Sequence, residues 1–252
     1  MAAATAAMIM EMTGITMING LHRLDPLAFL RLQNWLSPAF PTGSYSYSHG
    51  IEWAVEAGYI KDRKSLIDWL EADLRYGSGR NEGIFFSGAW CSTFDGDRAK
   101  LLELAELAAA FRGTAEFALE SSQQATACLV TLTRVWPDPV MNWLSEALAH
   151  RGLPPALAIV FGVRSASQGI PIAIALPAFL QSYVANLVTA AVRLIPLGQT
   201  DGQAAIAALE DAVLAASAHA AGATTRDLGS AGFMVDLSSM AHETQYTRLF
   251  RS

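Results

Sequence analysis

The sequence has few charged residues, and it has no run of basic residues. Of its 252 residues, 16% are charged and 52% are hydrophobic, and the mean hydropathy is +0.28. The formal net charge is −6 and the pI is about 5.3. Proteins that bind nucleic acid neutralise phosphates with clustered Lys and Arg. The composition therefore argues against nucleic-acid binding as the main function.

Cysteine is also scarce. Cys91 and Cys128 are the two cysteines, and their separation does not match the spacing of metal-binding motifs. A disulfide framework is thus not expected, and a reducing, cytoplasmic location fits best. The methionine-rich start lacks the basic region of a secretory signal, so residues 1–22 are predicted to be a flexible N-terminal extension, or the true start lies further in.

The chain lacks the motifs of common nucleotide and ester hydrolases. No glycine loop ends in Gly-Lys-Ser/Thr, and no Gly-x-Ser-x-Gly elbow occurs. The glycine-rich stretch 77–83 has no lysine and follows a predicted helix, so it is interpreted as a turn between helices.

Potential metal ligands are sparse. Among the five histidines, His49 lies three residues before Glu52, and the two side chains could share a helix face. A structural or interface hydrogen bond is the favoured interpretation of this pair. A metal-dependent hydrolase using His49, Glu52 and a distant histidine stays open as an alternative.

The longest uncharged stretch, residues 165–192, is long enough to span a bilayer. Gly169, Pro171 and Pro177 interrupt it, and its amide side chains would need partners in hydrocarbon. We therefore predict a buried core helix with a preceding turn, and no membrane anchor.

Helix-start and helix-stop signals recur along the chain, whereas sustained strand alternation does not. Asp25-Pro26, Asp62 and Thr114 are typical N-caps, and apolar residues follow each at helical spacing. We predict an all-α fold in which residues 23–222 form one globular domain of about nine or ten helices, the last at 204–220. Residues 223–252 are predicted to be an extended C-terminal tail that is ordered on partner binding.

Three segments carry more polar and aromatic residues than a helical core needs. Residues 37–58 combine turn residues with Tyr45, Tyr47, His49 and Glu52, which cluster where a loop becomes a helix. Residues 193–203 bend one helix into the next and offer Gln199, Asp201 and Gln203 near a helix start. Residues of the end of the chain that suit a contact surface are His242, Glu243, Tyr246, Arg248, Leu249, Phe250 and Arg251.

These segments together resemble the urease accessory protein UreF family. The first reads SPAFPTGSYSYSHGIEWAVEAG, the second RLIPLGQTDGQ and the third HETQYTRLFRS. The resemblance spans residues 27–252, with the three motifs in order, and it finds no counterpart for residues 1 to about 20.

The resemblance implies a non-enzymatic, cytoplasmic, homodimeric maturation factor without a cofactor of its own. It would link a scaffold protein on apo-urease (UreD, also called UreH) to the nickel-carrying GTPase UreG, and couple GTP hydrolysis to nickel insertion. Carried over, Tyr45, His49 and Glu52 would face the GTPase or the passage between partners. The scaffold would order residues 246–251, and Gln199 and Asp201 would line a polar route for the ion.

Overall fold

The computed structural model describes residues 24–251, and within this range the chain forms twelve α-helices and no strand. The all-α prediction is confirmed, with two helices more than the upper predicted count. The helices are α1 (Pro26–Trp35), α2 (Ile51–Glu56), α3 (Arg63–Tyr76), α4 (Ser78–Phe94), α5 (Arg98–Ala110), α6 (Ala115–Val135), α7 (Pro139–Arg151), α8 (Leu157–Ser167), α9 (Ile172–Val192), α10 (Gln199–Ala208), α11 (Glu210–Gly222) and α12 (Phe233–His242). The extension predicted for residues 1–22 lies outside the described residues, and the predicted domain boundaries stay predictions.

Side-chain caps start several helices where the sequence predicts them. Asp25 accepts a hydrogen bond from the Leu27 amide at 3.1 Å, and Asp62 exchanges a reciprocal pair of bonds with Ser65. Thr114 caps α6 through the Phe117 amide. These bonds satisfy amides that have no partner within their helix. The local sequence was therefore sufficient to predict where these helices begin.

The predicted turn at residues 77–83 is wrong. Gly77 alone separates α3 from α4, and α4 begins at Ser78, two residues earlier than Arg80, where the sequence placed it. The carboxylate of Asp73 accepts the backbone N–H groups of Ser78 and Gly79 at 2.9 and 3.2 Å. A cap supplied from the preceding helix therefore lets α4 continue through its glycines.

Two further boundaries differ from the prediction. The helix expected at 204–220 begins at Gln199 and is divided at Leu209 into α10 and α11, which are bent by 42°. Beyond Gly222, where no regular structure was expected, residues 233–242 form α12. Val235 and His242 lie on its buried face, so tertiary packing stabilises a helix that local propensity did not reveal.

Helix α9 lies at the centre of the packing. By length and composition it could cross a membrane, and α10 and α11 meet the same criterion as a bent pair. The buried face of α9 packs against α4, α8 and α11, as expected of a core helix. The absence of a membrane anchor stays a prediction.

Helices α4 and α8 pack closely against each other, and a glycine permits the approach. A Cβ atom on Gly162 would lie 2.6 Å from the Phe86 carbonyl oxygen and 3.0 Å from the Ala89 Cβ. Nearby, the Trp90 indole N–H donates to the Ile170 carbonyl at 2.9 Å. At Gly162, α8 thus packs directly against the backbone of α4.

We expect Gly162→Ala to lower the free energy of unfolding by about 1–3 kcal/mol, because the added methyl group must push α8 away from α4. Urea denaturation followed by circular dichroism measures the change. Gly222→Ala is the matched control: a Cβ there meets nothing within 4 Å, so its stability should be unchanged or slightly higher. Equal stabilities of the two variants would contradict this account of the close approach.

Candidate interaction site

A left-handed backbone step joins the loop of the first motif to α2, the helix of the same motif. Gly43 begins a short 3₁₀ helix at residues 44–46, and the chain then passes through His49 at φ +56° and Gly50 at φ +78°. Left-handed conformation costs a non-glycine residue about 1 kcal/mol or more, so the surrounding contacts must hold His49 in place. The step turns the His49 and Glu52 side chains toward different partners, so they do not form the shared face that their spacing allowed.

Gly50 also lets α12 approach α2. A Cβ atom on Gly50 would lie 3.0 Å from the Ser239 amide nitrogen, closer than ordinary contact. The hydroxyl of Ser239 lies 2.7 Å from the Thr114 hydroxyl at the start of α6. Helix α12 is therefore packed between α2 and α6.

Glu52 holds the C-terminal segment, residues 248–251, on α2. Its two carboxylate oxygens accept the backbone N–H groups of Leu249 and Phe250 at 2.6 and 2.9 Å. The same carboxylate lies 3.1 Å from His242 Nε2. Because a hydrogen bond to a charged group contributes about 1.5–3 kcal/mol, this side chain is a strong anchor.

The opposite edge of the His242 ring contacts α6. Nδ1 lies 3.0 and 2.9 Å from the two carboxylate oxygens of Glu116, and Arg248 donates to the same carboxylate at 3.2 Å. Burial raises the pKa of Glu116 above its ordinary value, although His242 and Arg248 act in the opposite direction. A polar cluster, formed by the buried residues Glu52, Glu116 and His242 together with the exposed Arg248, therefore connects α2, α6, α12 and the C-terminal segment.

Arg193 joins all three motifs. Its guanidinium lies between two rings, 3.8 Å from the centroid of Tyr45 and 4.3 Å from that of Phe250. It also donates to the Tyr45 carbonyl at 2.8 Å, and the Arg251 amide donates to the Ser46 carbonyl at 2.8 Å. The first residue of the second motif thus clamps the loop of the first motif to the end of the third.

His49 belongs to a separate chain of hydrogen bonds. Its Nδ1 lies 3.1 Å from Glu120, and its Nε2 lies 2.6 Å from the Ser78 hydroxyl, which lies 2.9 Å from Asp73. Burial lowers the pKa of His49, but Glu120 and more distant carboxylates outweigh it, so this pKa is raised above its ordinary value. The chain ends at Tyr183, whose hydroxyl donates to Asp73 at 2.7 Å.

The order Glu120, His49, Ser78 resembles a nucleophile with its base, but the protons are placed differently. The raised pKa of His49 favours the imidazolium, whose Nε2–H donates to the Ser78 hydroxyl. The Ser78 hydroxyl donates to Asp73 instead. Since Asp73 also accepts the first amides of α4, the network is a structural link between α2, α3, α4 and α6.

The residues predicted to bind partners divide into exposed and buried groups. Tyr45 is 69% exposed and Tyr246 is fully exposed, and Glu243, Arg248, Leu249 and Arg251 are also exposed. Tyr47 is buried and donates its hydroxyl proton to Gln123. His242 and Phe250 are buried too, and the expectation that they belong to a contact surface stays a prediction. Their hydrogen bonds and ring contacts hold the exposed residues in place.

The two ends of the second motif contact different parts of the molecule. Gln199, Asp201 and Gln203 lie in the first turns of α10, where Asp201 accepts a hydrogen bond from Arg63 of α3 at 3.0 Å. The Arg193 end of the motif instead contacts Tyr45 and Phe250. The structure therefore brings the first and third motifs together with Arg193, and it places Gln199, Asp201 and Gln203 beside α3.

Sequence reasoning missed the acidic residues of α6. Glu116 and Glu120 lie one turn apart, and Phe117 between them stacks on His49 with the ring centroids 3.9 Å apart. Their spacing at the start of a capped helix was visible, but an acidic residue there is ordinarily explained by the helix dipole. Nothing local indicated that both would meet histidines from distant parts of the chain.

Comparison with known proteins gives the family. The UreF family profile matches residues 60–210. The chain belongs to the UreF family of urease accessory proteins. A urease accessory protein UreF of Rhodopseudomonas palustris (strain BisB5) is 47% identical over 222 residues, which cover 88% of this chain and 90% of the relative. That of Bradyrhizobium diazoefficiens is 47% identical over 228 residues (90% and 93%), and that of Granulibacter bethesdensis is 46% identical over 229 residues (89% and 94%).

The family assignment confirms the resemblance of the three motifs. As a urease accessory protein of the UreF family, the chain is a non-catalytic maturation factor, as the sequence predicted. Within residues 24–251, no group of three or more His, Cys, Asp or Glu is arranged to hold a metal ion. The alternative hydrolase, which needed His49, Glu52 and a distant histidine as ligands, therefore has no site in the part of the chain described.

Replacing Arg193 by Lys should loosen the C-terminal segment, because Lys keeps the charge but lacks the planar face that stacks on two rings. The two cation–π contacts together contribute about 1–2 kcal/mol, and Lys keeps part of this, so tryptic cleavage after Arg248 should accelerate about threefold. The peptide Leu249–Ser252 released is quantified by mass spectrometry. Arg63→Lys, which alters the exposed pair with Asp201, is the control and should cleave like the unmodified chain. An unchanged rate in Arg193→Lys would show that the clamp does not hold the segment.

Proposed function

We propose that this chain is the adaptor of a urease maturation complex. It links a UreD/UreH-type scaffold on apo-urease to the nickel-carrying GTPase UreG, and it couples GTP hydrolysis by that partner to nickel insertion. Its role as a urease accessory protein already implies interaction with other urease maturation factors. The finer assignment of partners is our proposal, as are a cytoplasmic location and a homodimer.

The proposal rests on one observation: residues of the three motifs meet at Arg193, where buried contacts support exposed side chains. Arg193 contacts the rings of both Tyr45 and Phe250, and the ring of Tyr45 is exposed. Tyr246 and Leu249, which precede Phe250 in the C-terminal residues, are exposed as well. Aromatic and arginine residues of this kind are enriched among interface hot spots. A rigid support beneath an exposed aromatic ring is what a docking surface requires.

Helix α12 extends this surface with an apolar face. Phe233 is 68% exposed, Leu237 is 52% exposed and Met240 is 48% exposed, at helical spacing on the side away from the polar cluster. Exposed apolar residues grouped in this way mark interaction sites more often than free surface. We assign α12 and residues 246–251 to the scaffold partner, and Tyr45 to the GTPase.

The adjacency of the two surfaces gives the adaptor a physical basis. The Arg193 clamp connects Tyr45 to Phe250, and Glu52 connects Phe250 to α12 through His242. A partner that binds α12 and the C-terminal segment would therefore fix the Tyr45 loop for the second partner. We keep the proposed ion route along Gln199 and Asp201 separate from this surface, because Asp201 is paired with Arg63.

Tyr45→Ala should weaken recruitment of the GTPase and lower the melting temperature only slightly, since the ring is largely exposed and its loss removes one contact with Arg193. Loss of a hot-spot aromatic costs about 2 kcal/mol or more, or roughly thirtyfold in Kd. The measurement is size-exclusion co-elution and titration of the purified chain with its native scaffold and GTPase partners.

Tyr76→Ala removes a half-exposed tyrosine at the end of α3 and serves as the control, with binding retained. If Tyr45→Ala melts at a much lower temperature while binding normally, the ring is a packing residue. If the unmodified chain elutes apart from both native partners, the adaptor role itself is wrong.

A further inference from the structure

A cavity of about 260 Å³ lies beside α12, between that helix, the first turns of α4 and the end of α5. Two of its lining residues, Ala110 and Ser230, are exposed, so the cavity opens to solvent. Pockets for drug-sized ligands have volumes of about 300–1,000 Å³. This cavity is smaller, and its size suits a single side chain.

Two cationic residues line the cavity, and each has a carboxylate partner. Arg112 is paired with Glu82, and His49 Nδ1 lies 3.1 Å from Glu120. Asp236 of α12 also lines the cavity, and among the residues that the structure describes it forms no ion pair. The carboxylate that lacks a cation in contact is therefore the one on α12.

The surroundings of Asp236 leave its charge poorly compensated. The Ser230 hydroxyl donates to its Oδ2 at 3.2 Å, and a Cβ atom on Gly113 would lie 3.1 Å from its Oδ1. Burial raises the pKa of Asp236 above its ordinary value, with Asp73 acting in the same direction and His49 against it. A cation that entered the cavity would stabilise this carboxylate.

The other walls of the cavity are aromatic. Phe85 and Phe111 pack with their ring centroids 5.9 Å apart, and Phe117 lies at the start of α6. Lys and Arg bury the methylene groups of their side chains against apolar surface, and their cationic groups are attracted to aromatic faces. Aromatic walls and one unpaired carboxylate are therefore suited to a Lys or Arg side chain.

Asp236 is continuous with the exposed apolar face of α12. It follows Phe233 by three residues and precedes Met240 by four, and residues at this spacing are neighbours on a helix surface. We propose that the cavity is a socket for a Lys or Arg side chain of the scaffold partner, which binds Asp236 while the partner covers this face of α12. The inference rests on the proposed function and adds the chemistry that the partner must present.

The chemistry of the socket can be tested without a partner. n-Butylammonium, which has the form of the end of a Lys side chain, is titrated into the full-length chain and followed by NMR through the amides of residues 111–117 and 230–236. Asp236→Asn should weaken its binding about tenfold, because a hydrogen bond to a charged group is lost. The neutral analogue 1-butanol should bind no more tightly to the unmodified chain than to Asp236→Asn.

Asp68→Asn is the matched control, since it changes an exposed carboxylate of α3 that is paired with Lys64. It should bind n-butylammonium like the unmodified chain. Equal affinities of n-butylammonium for the unmodified chain and for Asp236→Asn would overturn the proposal. Circular dichroism checks that both variants are folded.

Titration with the purified native scaffold tests the occupant. Asp236→Asn should raise the Kd for the scaffold about tenfold, and Asp68→Asn should leave it unchanged. Equal affinity of the scaffold for the unmodified chain and Asp236→Asn would show that none of its basic side chains occupies the socket. If the scaffold binds neither chain while n-butylammonium binding depends on Asp236, the adaptor role and this occupant are wrong, and the socket is a cation site that serves another purpose.

Discussion

The carboxylate of Glu52 accepts two successive backbone N–H groups from the C-terminal segment, and the arrangement of the candidate site depends on this interaction. A carboxylate is well suited to the task, because its two oxygens bind adjacent amides whatever side chains they carry. The same group contacts His242, so one side chain positions both α12 and the residues after it. Gly50 makes the arrangement possible, since a larger residue at this left-handed position would clash with α12.

Around this anchor, three segments that lie far apart in the sequence form one surface. Arg193 contacts the rings of Tyr45 and Phe250, while the Tyr45 ring and the apolar face of α12 are exposed. The histidines of the site therefore act as links between helices. This division suits a urease maturation factor, a role that implies interaction with other maturation factors, and it accounts for polar residues in the motifs that do not form a catalytic set.

Much of the fold could be predicted from the sequence, because caps such as Asp62 and Thr114 act locally. The helix after Gly222 could not, since α12 is stabilised by burying His242 against Glu52 and Glu116 from distant helices. The motifs of the site were recognisable from residues such as Tyr45 and Phe250. Their convergence on Arg193 was not, because a contact between residues 148 positions apart leaves no trace in local spacing.

The central claim is that the isolated chain holds its own C-terminal segment through Glu52. Hydrogen–deuterium exchange at the amides of Leu249 and Phe250, measured by NMR on the full-length chain without partners, tests it most directly. We expect both amides to exchange much more slowly than in an unfolded peptide, and Glu52→Gln to accelerate both. Exchange at the rate of an unfolded peptide, slowed only when a scaffold partner is added, would contradict the claim and show that the partner orders the segment.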